Sequence, residues 1–402
     1  MLKHGCRDGF LDAAQQEIKE LTEKKTFKHV KRPQGAQVIP LKWVFNYKFD
    51  TDGFLVKFKS RLCVRGDLQR LSLQDTYAAT LTAKVFRTMM ALTAAFDLET
   101  NQFDVKNAYP HADLDEVIYT ECPQGFEAPG SCLLLLKALY GLRRAPRLWQ
   151  KKLVARLTEL GLRQVSVEPC FLLNNRIFLI FFSDDIITLF HKNHRKEFTE
   201  FKKLFMQSFD LKDLGELKWF LGVRILRDRP NGKLWLCQDS YIDKIANKFN
   251  LQTSKPPKTP LVVGILEANE DEASPQDIHL FQQKVGSLLY ATIITRPDAA
   301  RAANKLSEYL TNPSRMHLQA VDRAIQYLYG TKFLAIEYSR DASTILCASD
   351  AAFADNADRK STEGFLFKLF GGPIDWRACK QKTVTTSTTE AELLALSHTT
   401  KD

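Results

Sequence analysis

The sequence predicts an α+β fold in more than one domain, and three observations carry this. The chain has 402 residues, more than one hydrophobic core usually organises. Its hydrophobic pattern changes between helical and strand periods along the chain. It is 45% hydrophobic and 26% charged, the composition of a folded protein rather than a disordered or fibrous one.

The elements follow in order. Asp12 to Leu21 reads as a short amphipathic helix. Lys42 to Phe49 and Phe54 to Arg65 read as strands joined by the turn residues Asp50, Thr51, Asp52 and Gly53, a β-hairpin carrying Lys57, Lys59, Arg61 and Arg65. A helix over Ala83 to Phe96 leads into a strand ending near Asp104. Pro146 opens a helix in which Trp149, Leu153, Leu157 and Leu160 recur at helical spacing beside Arg147, Lys151, Lys152 and Arg156. Arg176 to Phe182 and Ile186 to Phe190 form two strands turned at Ser183-Asp184-Asp185.

Between Gln252 and Asp277 the chain is rich in Pro, Lys, Glu and Asp and reads as a linker. Phe281 to Tyr290, Ala299 to Leu310 and His317 to Tyr329 look helical. Strands are then expected at Ser343 to Ser349, Gly364 to Phe370 and Ile374 to Arg377, followed by a helix that begins at Ser387. Glu390 three residues later fits a capping box.

Lys and Arg outnumber Asp and Glu by 57 to 47, a formal charge of +10 that favours a polyanionic partner without specifying one. The eight cysteines are scattered, with no C-x-x-C pair, and suit buried free thiols and a reducing compartment. Residues 1–10 carry charges and no signal-peptide core, and no apolar run approaches the roughly 18 residues of a membrane span. Neither secretion nor membrane anchorage is expected.

The hairpin from Ile177 to Phe190 holds two adjacent aspartates at its tip. Aspartates are common turn residues, so this segment alone admits a structural reading. Asp104, at the end of a second apolar strand, changes the balance, because three carboxylates brought together repel one another unless cations neutralise them. Oxygen-only ligands suit Mg²⁺ or Mn²⁺. Two such ions, roughly 3.5–4 Å apart, support phosphoryl transfer by activating an attacking oxygen and stabilising a leaving one.

QFDVKNAYPHAD (Gln102 to Asp113), LYGLRRAPRLW (Leu139 to Trp149) and FSDDI (Phe182 to Ile186) resemble, in this order, the palm motifs of copia-type LTR retrotransposon reverse transcriptases. KFKSRLCVRGDLQ (Lys57 to Gln69), DLGELKWFLG (Asp213 to Gly222), TRPD (Thr295 to Asp298) and STTEAELLA (Ser387 to Ala395) resemble further segments of the same polyproteins. Together they cover the chain from about Asp12 onward.

The resemblance implies a right-hand polymerase: fingers, palm and the start of a thumb over residues 12–255, a linker and helical connection over 256–342, and a partial RNase H-like α/β unit over 343–402. Asp104, Asp184 and Asp185 become catalytic metal ligands. Lys59, Arg61, Arg65, Tyr109, Tyr140 and Gly141 become nucleotide contacts, with Tyr109 under the sugar, and Arg147 and Lys151 would track the template. Phe220, Leu221 and Gly222 would grip the primer, and Asp350 and Glu392 would be the RNase H carboxylates. Each has a plainer reading as turn, core strand or solvated face.

The implied partners are an RNA template, DNA primer and product, dNTPs, and integrase or capsid proteins of the same element. The implied location is a cytoplasmic virus-like particle or the nucleus. Further RNase H carboxylates do not occur by Asp402, so RNA cleavage is expected to be absent.

Phe182, Ser183 and Pro110 depart from the family pattern. Ser183 is expected to leave its hydroxyl poorly satisfied, and Pro110 to tilt the nucleotide site. These departures keep two alternatives open: an inactive remnant that binds nucleic acid, and a scaffold whose carboxylates are structural.

Overall fold

The computed structural model describes residues 5–49, 54–70, 76–127, 129–262, 264, 266–341 and 344–401. The chain begins with α1 (Arg7–Glu23), β1 (Phe27–Lys31), β2 (Val38–Ile39), β3 (Leu41–Phe49), β4 (Leu55–Val64), α2 (Ala83–Ala95) and β5 (Glu99–Val105). It continues with β6 (Asp113–Thr120), β7 (Ser131–Lys137), α3 (Ala145–Glu159), β8 (Arg163–Val165), β9 (Glu168–Leu173), β10 (Ile177–Phe182), β11 (Asp185–Phe190), α4 (Arg195–Ser208) and β12 (Leu211–Gly215). Then come β13 (Trp219–Phe220), β14 (Val223–Asp228), β15 (Lys233–Cys237), α5 (Asp239–Lys248), α6 (Pro275–Ile294), α7 (Ala300–Ser307) and α8 (Arg315–Gly330). The last elements are β16 (Ile336–Ser339), β17 (Leu346–Ala352), β18 (Thr362–Leu369), β19 (Gly372–Lys380) and α9 (Thr388–Thr399). The mixed content is that of an α+β protein.

Contacts divide the chain into two units that interrupt one another in sequence: Met1–Leu81 with Asn101–Gly215, and Thr82–Thr100 with Glu216–Asp402. In the first, a six-stranded sheet has the order β12-β5-β11-β10-β9-β8 and a four-stranded sheet the order β1-β7-β6-β2. β3 and β4 form a separate antiparallel ribbon. Its apolar face, Phe45, Tyr47 and Phe58, closes on Phe10 of α1, with ring centroids 4.9–5.1 Å apart. The turn expected at Asp50 to Gly53 lies outside the described residues. The α1 stripe reaches further, through Ala14 to Leu21, which joins Leu62, Val64, Leu139 and Leu148 in a buried core.

The second unit is built around a helical core in which Phe281, Val285 and Leu288 of α6 meet Val321, Ala324 and Leu328 of α8. Two antiparallel sheets accompany it, β13-β14-β15-β16 and β17-β18-β19. Arg87 of α2 is 3% exposed and donates to the carbonyls of Ile293, Ile294 and Ile374, with its guanidinium 3.9 Å from the Trp376 ring centroid. That contact ties α2, α6 and β19 together.

Among its described residues the stretch read as a linker has no regular structure before Pro275, but it is held in place. Leu261 and Leu266 pack on the helical core, and Asn312 bonds back to Asn269 and Asp271. Two apolar residues in a polar segment suffice for this. Of the cysteines, Cys132, Cys170 and Cys237 are buried, whereas Cys347 is exposed on β17, so uniform burial does not hold. Among the described residues no helix is long and apolar enough to cross a membrane.

Candidate active site

Strand pairing builds the site. β10 and β11 pair antiparallel with Phe182 opposite Asp185, which leaves Ser183 and Asp184 as the turn. β5, ending in Asp104 and Val105, lies on the other side of β11, and Val105 donates its amide to the Asp184 carbonyl at 3.0 Å. The three aspartates are therefore held at one end of neighbouring strands. All three are half-buried.

Ser183 takes a left-handed backbone, φ +56°, uncommon for a residue with a Cβ. The turn is fixed by α3, whose Trp149 donates its indole N–H to the Ser183 carbonyl at 2.9 Å. The Ser183 hydroxyl lies 3.4 Å from the Tyr109 hydroxyl, so it is not the orphan expected. Pro110 sits in the first turn of a short 3-10 helix (Tyr109–His111), where its missing N–H is not needed. That turn closes through His111 N to Ala108 O and Ala112 N to Tyr109 O, at 3.1 and 2.9 Å.

The electrostatics reflect crowding of like charge. Asp185 is pushed up to about 6 by burial first, then by Asp184 and Asp104, with Gln102 and Lys48 opposing. Lys59 of β4 is made a weaker base by burial and by Arg61 and Lys48, while Asp104 and Asp184 pull the other way. The basic face of the β3–β4 ribbon thus lies within electrostatic reach of the carboxylates. Lys48 and Gln102 escaped the sequence reading. Lys48 had a signal, since it stands directly opposite Lys57, a like-charge pair that is unfavourable by itself.

Arg61 places its guanidinium 5.1 Å from the Tyr140 ring centroid, and its buried Nε has no hydrogen-bond partner among the described residues. Tyr140 packs edge-on against Tyr109 at 4.7 Å. Burial raises the Tyr140 phenol above its ordinary range. Gly141, at φ +89°, lets its loop dock on β4, where Val64 donates to Tyr140 O at 2.7 Å, and a Cβ on Gly66 would collide with the Gly141 carbonyl. Arg65 faces elsewhere: it forms an exposed pair with Asp67 at 2.7 Å. Arg147 and Lys151 lie one turn apart on α3, half-buried and exposed respectively.

The other candidates belong to the second unit. Phe220 is buried against Phe86 at 5.2 Å, and Leu221 and Gly222 form the tight β13–β14 turn. Leu221 is left-handed there, φ +48°, and its carbonyl accepts from the Tyr290 hydroxyl. Asp350 is exposed on β17 opposite Gly364, and Glu392 is exposed on α9. Glu390 caps α9: its carboxylate accepts from the Thr386 amide and hydroxyl at 2.7 and 2.9 Å.

Among the described residues no three His, Cys, Asp or Glu side chains form a ready-made metal site. The donor chemistry nevertheless fits a hard divalent cation. Asp104, Asp184 and Asp185 offer only oxygens, and the raised Asp185 marks a deficit of positive charge that a cation would fill.

Comparison with known proteins places the chain in a family. Residues 24–263 match the family described as "Reverse transcriptase (RNA-dependent DNA polymerase)". The retrovirus-related Pol polyprotein from transposon TNT 1-94 of Nicotiana tabacum is 36% identical, over 100% of this chain and 31% of its own length. That from transposon RE1 of Arabidopsis thaliana is 32% identical over 92% of the chain and 26% of its length. The Ty1-DR6 Gag-Pol polyprotein of Saccharomyces cerevisiae is 27% identical over 97% and 23%. The chain belongs to the reverse transcriptase family, and its relatives there are the Pol polyproteins of copia-type retrotransposons. It spans about a third or less of the length of these relatives.

Proposed function

We propose that the chain is an RNA-directed DNA polymerase that joins a dNTP to a primer 3′-hydroxyl on an RNA or DNA template. The single observation that carries this is the adjacency of β5, β11 and β10, which brings Asp104, Asp184 and Asp185 to one half-buried strand end, where burial and crowding raise the proton affinity of Asp185. Carboxylates crowded at a half-buried strand end are costly for structure alone and useful for holding cations.

Asp104, Asp184 and Asp185 are the residues that would hold Mg²⁺ or Mn²⁺. Bound there, the ions would supply Lewis-acid activation of the hydroxyl and charge neutralisation at the departing pyrophosphate. The protein's own part is placement. Lys59 and Arg61 take the triphosphate, where the unpartnered Arg61 Nε has a donor to give. Tyr109, braced by Tyr140 and Ser183, lies beneath the sugar and excludes a 2′-hydroxyl. Arg65 would join only by leaving Asp67. Phe220 to Gly222 would hold the primer. β17–β19 with α9 read as the first part of an RNase H-like unit, with Asp350 and Glu392 as its carboxylates.

A second reading, nucleic-acid binding without catalysis, is favoured by the lack of a ready-made three-ligand cluster among the described residues. Primer extension on poly(rA)/oligo(dT) with Mg²⁺ or Mn²⁺ separates the two. The parent should extend and Asp184→Asn should not. A folded parent that shifts the template on a gel but extends nothing would establish the second reading.

A further inference from the structure

The loop that carries Tyr109, residues 106–112, is held from outside the site by the C-terminal end of α1. Lys24, the C-cap of α1, donates from its ammonium to the Lys106 carbonyl at 3.1 Å. The same Nζ lies 3.1 Å from His111 Nε2. One turn back on α1, Glu20 accepts from the Asn107 side-chain amide at 2.9 Å. One helix end thus grips the loop at Lys106, Asn107 and His111, more than eighty residues away in sequence.

The chemistry of the contact fixes its polarity. An ammonium has three donors and no acceptor, so His111 offers the Nε2 lone pair to Lys24 and carries its proton on Nδ1. The Lys106 carbonyl oxygen is 3.3 Å from that same nitrogen. Two acceptors this close repel unless a shared donor stands between them, and Lys24 is that donor. Burial first, and Lys24 next, hold His111 down to about 4, so it is a neutral acceptor at pH 7. Burial also weakens Lys24 as a base, with Asp210 and Glu20 opposing. The ring is seated on Phe209 and Trp149, with centroids 5.4 and 5.9 Å away. Asn107 takes a left-handed backbone, φ +48°, which its bond to Glu20 holds. Tyr109 lies midway between Asn107 and His111, so this clip sets the height of its turn.

We propose that Lys24 is a positioning residue of the nucleotide site: with Glu20 it clips the loop 106–112 to the end of α1 and so holds Tyr109 at the level of the incoming sugar. This rests on the polymerase reading, which puts Tyr109 beneath that sugar. It gives α1, which carries none of the reacting groups, a part in nucleotide choice.

The test joins two measurements on the full chain: hydrogen exchange of the amides of residues 107–112, and single-nucleotide extension on poly(rA)/oligo(dT) with dTTP or UTP. Lys24→Met should speed the exchange by about ten- to a hundredfold, the worth of hydrogen bonds to one charged group. It should also raise KM for dTTP by at least about threefold and lower the preference for dTTP over UTP, with kcat within about twofold. The kcat is kept because strand pairing still holds the aspartates. A merely destabilised chain would instead lose kcat at unchanged KM. Lys24→Arg keeps the donors and should restore KM. Lys24→Met combined with His111→Leu should cost less than the sum of the two single changes, since both break one contact. Lys19→Met, exposed on the same helix, removes the same charge and should leave KM unchanged.

Unchanged exchange in Lys24→Met overturns the clip, whatever the activity of the parent. Faster exchange with KM and sugar preference unchanged overturns the positioning role. A parent that incorporates neither nucleotide overturns the polymerase reading, and the exchange measurement then decides the clip by itself.

Discussion

Replacing Asp185 by Asn should make the cation-free protein more stable while abolishing extension. Burial, Asp184 and Asp104 raise Asp185 from 3.8 to about 6, roughly two units. At about 1.4 kcal/mol per unit this is about 3 kcal/mol of cost for the charged form. Solvent screening at a half-buried position reduces it to about 1–1.5 kcal/mol. A group with a raised folded pKa holds more protons folded than unfolded between 3.8 and 6, so its contribution is favourable below that window and is lost as pH rises through it. The gain from Asp185→Asn should therefore be full at pH 7.5 and roughly half as large at pH 5.

Calorimetry of the full chain without divalent ions should show the transition of the first unit raised by about 2–5 °C at pH 7.5. The parent-minus-variant difference matters, because His111 titrates the other way. Burial and then Lys24 hold it down to about 4, so its contribution is lost as pH falls from 6.5 towards 4. Subtraction removes that component. Added Mg²⁺ should raise the parent more than the variant. A variant less stable than the parent at pH 7.5, or a gain of equal size at both pH values, would refute the argument that the carboxylates crowd one another.

Two further substitutions probe the surroundings. Gly66→Ala forces a Cβ into the Gly141 carbonyl and should cost about 3 kcal/mol or more, read from urea unfolding, unless the Tyr140–Gly141 loop is free of β4. Ser183→Ala removes the hydroxyl beside Tyr109 and should raise ribonucleotide relative to deoxyribonucleotide incorporation by several-fold, the worth of about one hydrogen bond. An unchanged ratio would separate Ser183 from sugar choice.

Much of this site was legible because local pattern and tertiary role coincide. The β10–β11 hairpin is two apolar runs around polar turn residues, and α3 announces itself by Pro146 in its first turn and by the Trp149, Leu153 and Leu157 stripe. Where local pattern is weak, the reading stopped. β7 is a run of four leucines without alternation, and β1, Phe-Lys-His-Val-Lys, is short and has no clear period, so neither was named. Their pairing, Phe27 opposite Leu135, spans more than a hundred residues and leaves no local trace. α4 was readable and unread, since Phe198, Phe201 and Phe205 recur at helical spacing and all are buried. Arg65 was grouped with Lys59 and Arg61 through the resemblance and the shared basic ribbon, and the fold pairs it with Asp67.

What no local signal could supply is the coupling between elements that makes an aspartate pair more than a turn. The Trp149 indole on the Ser183 carbonyl joins α3 to the β10–β11 turn, and Tyr140 on Tyr109 joins the loop before α3 to the turn after β5. Each contact fixes a backbone or ring next to a carboxylate without touching it. The positions of the aspartates therefore follow from strand pairing and from aromatic packing on the helix and loop, while their charges repel one another. A site so braced would keep its shape without a cation, and binding one would relieve the repulsion among the carboxylates.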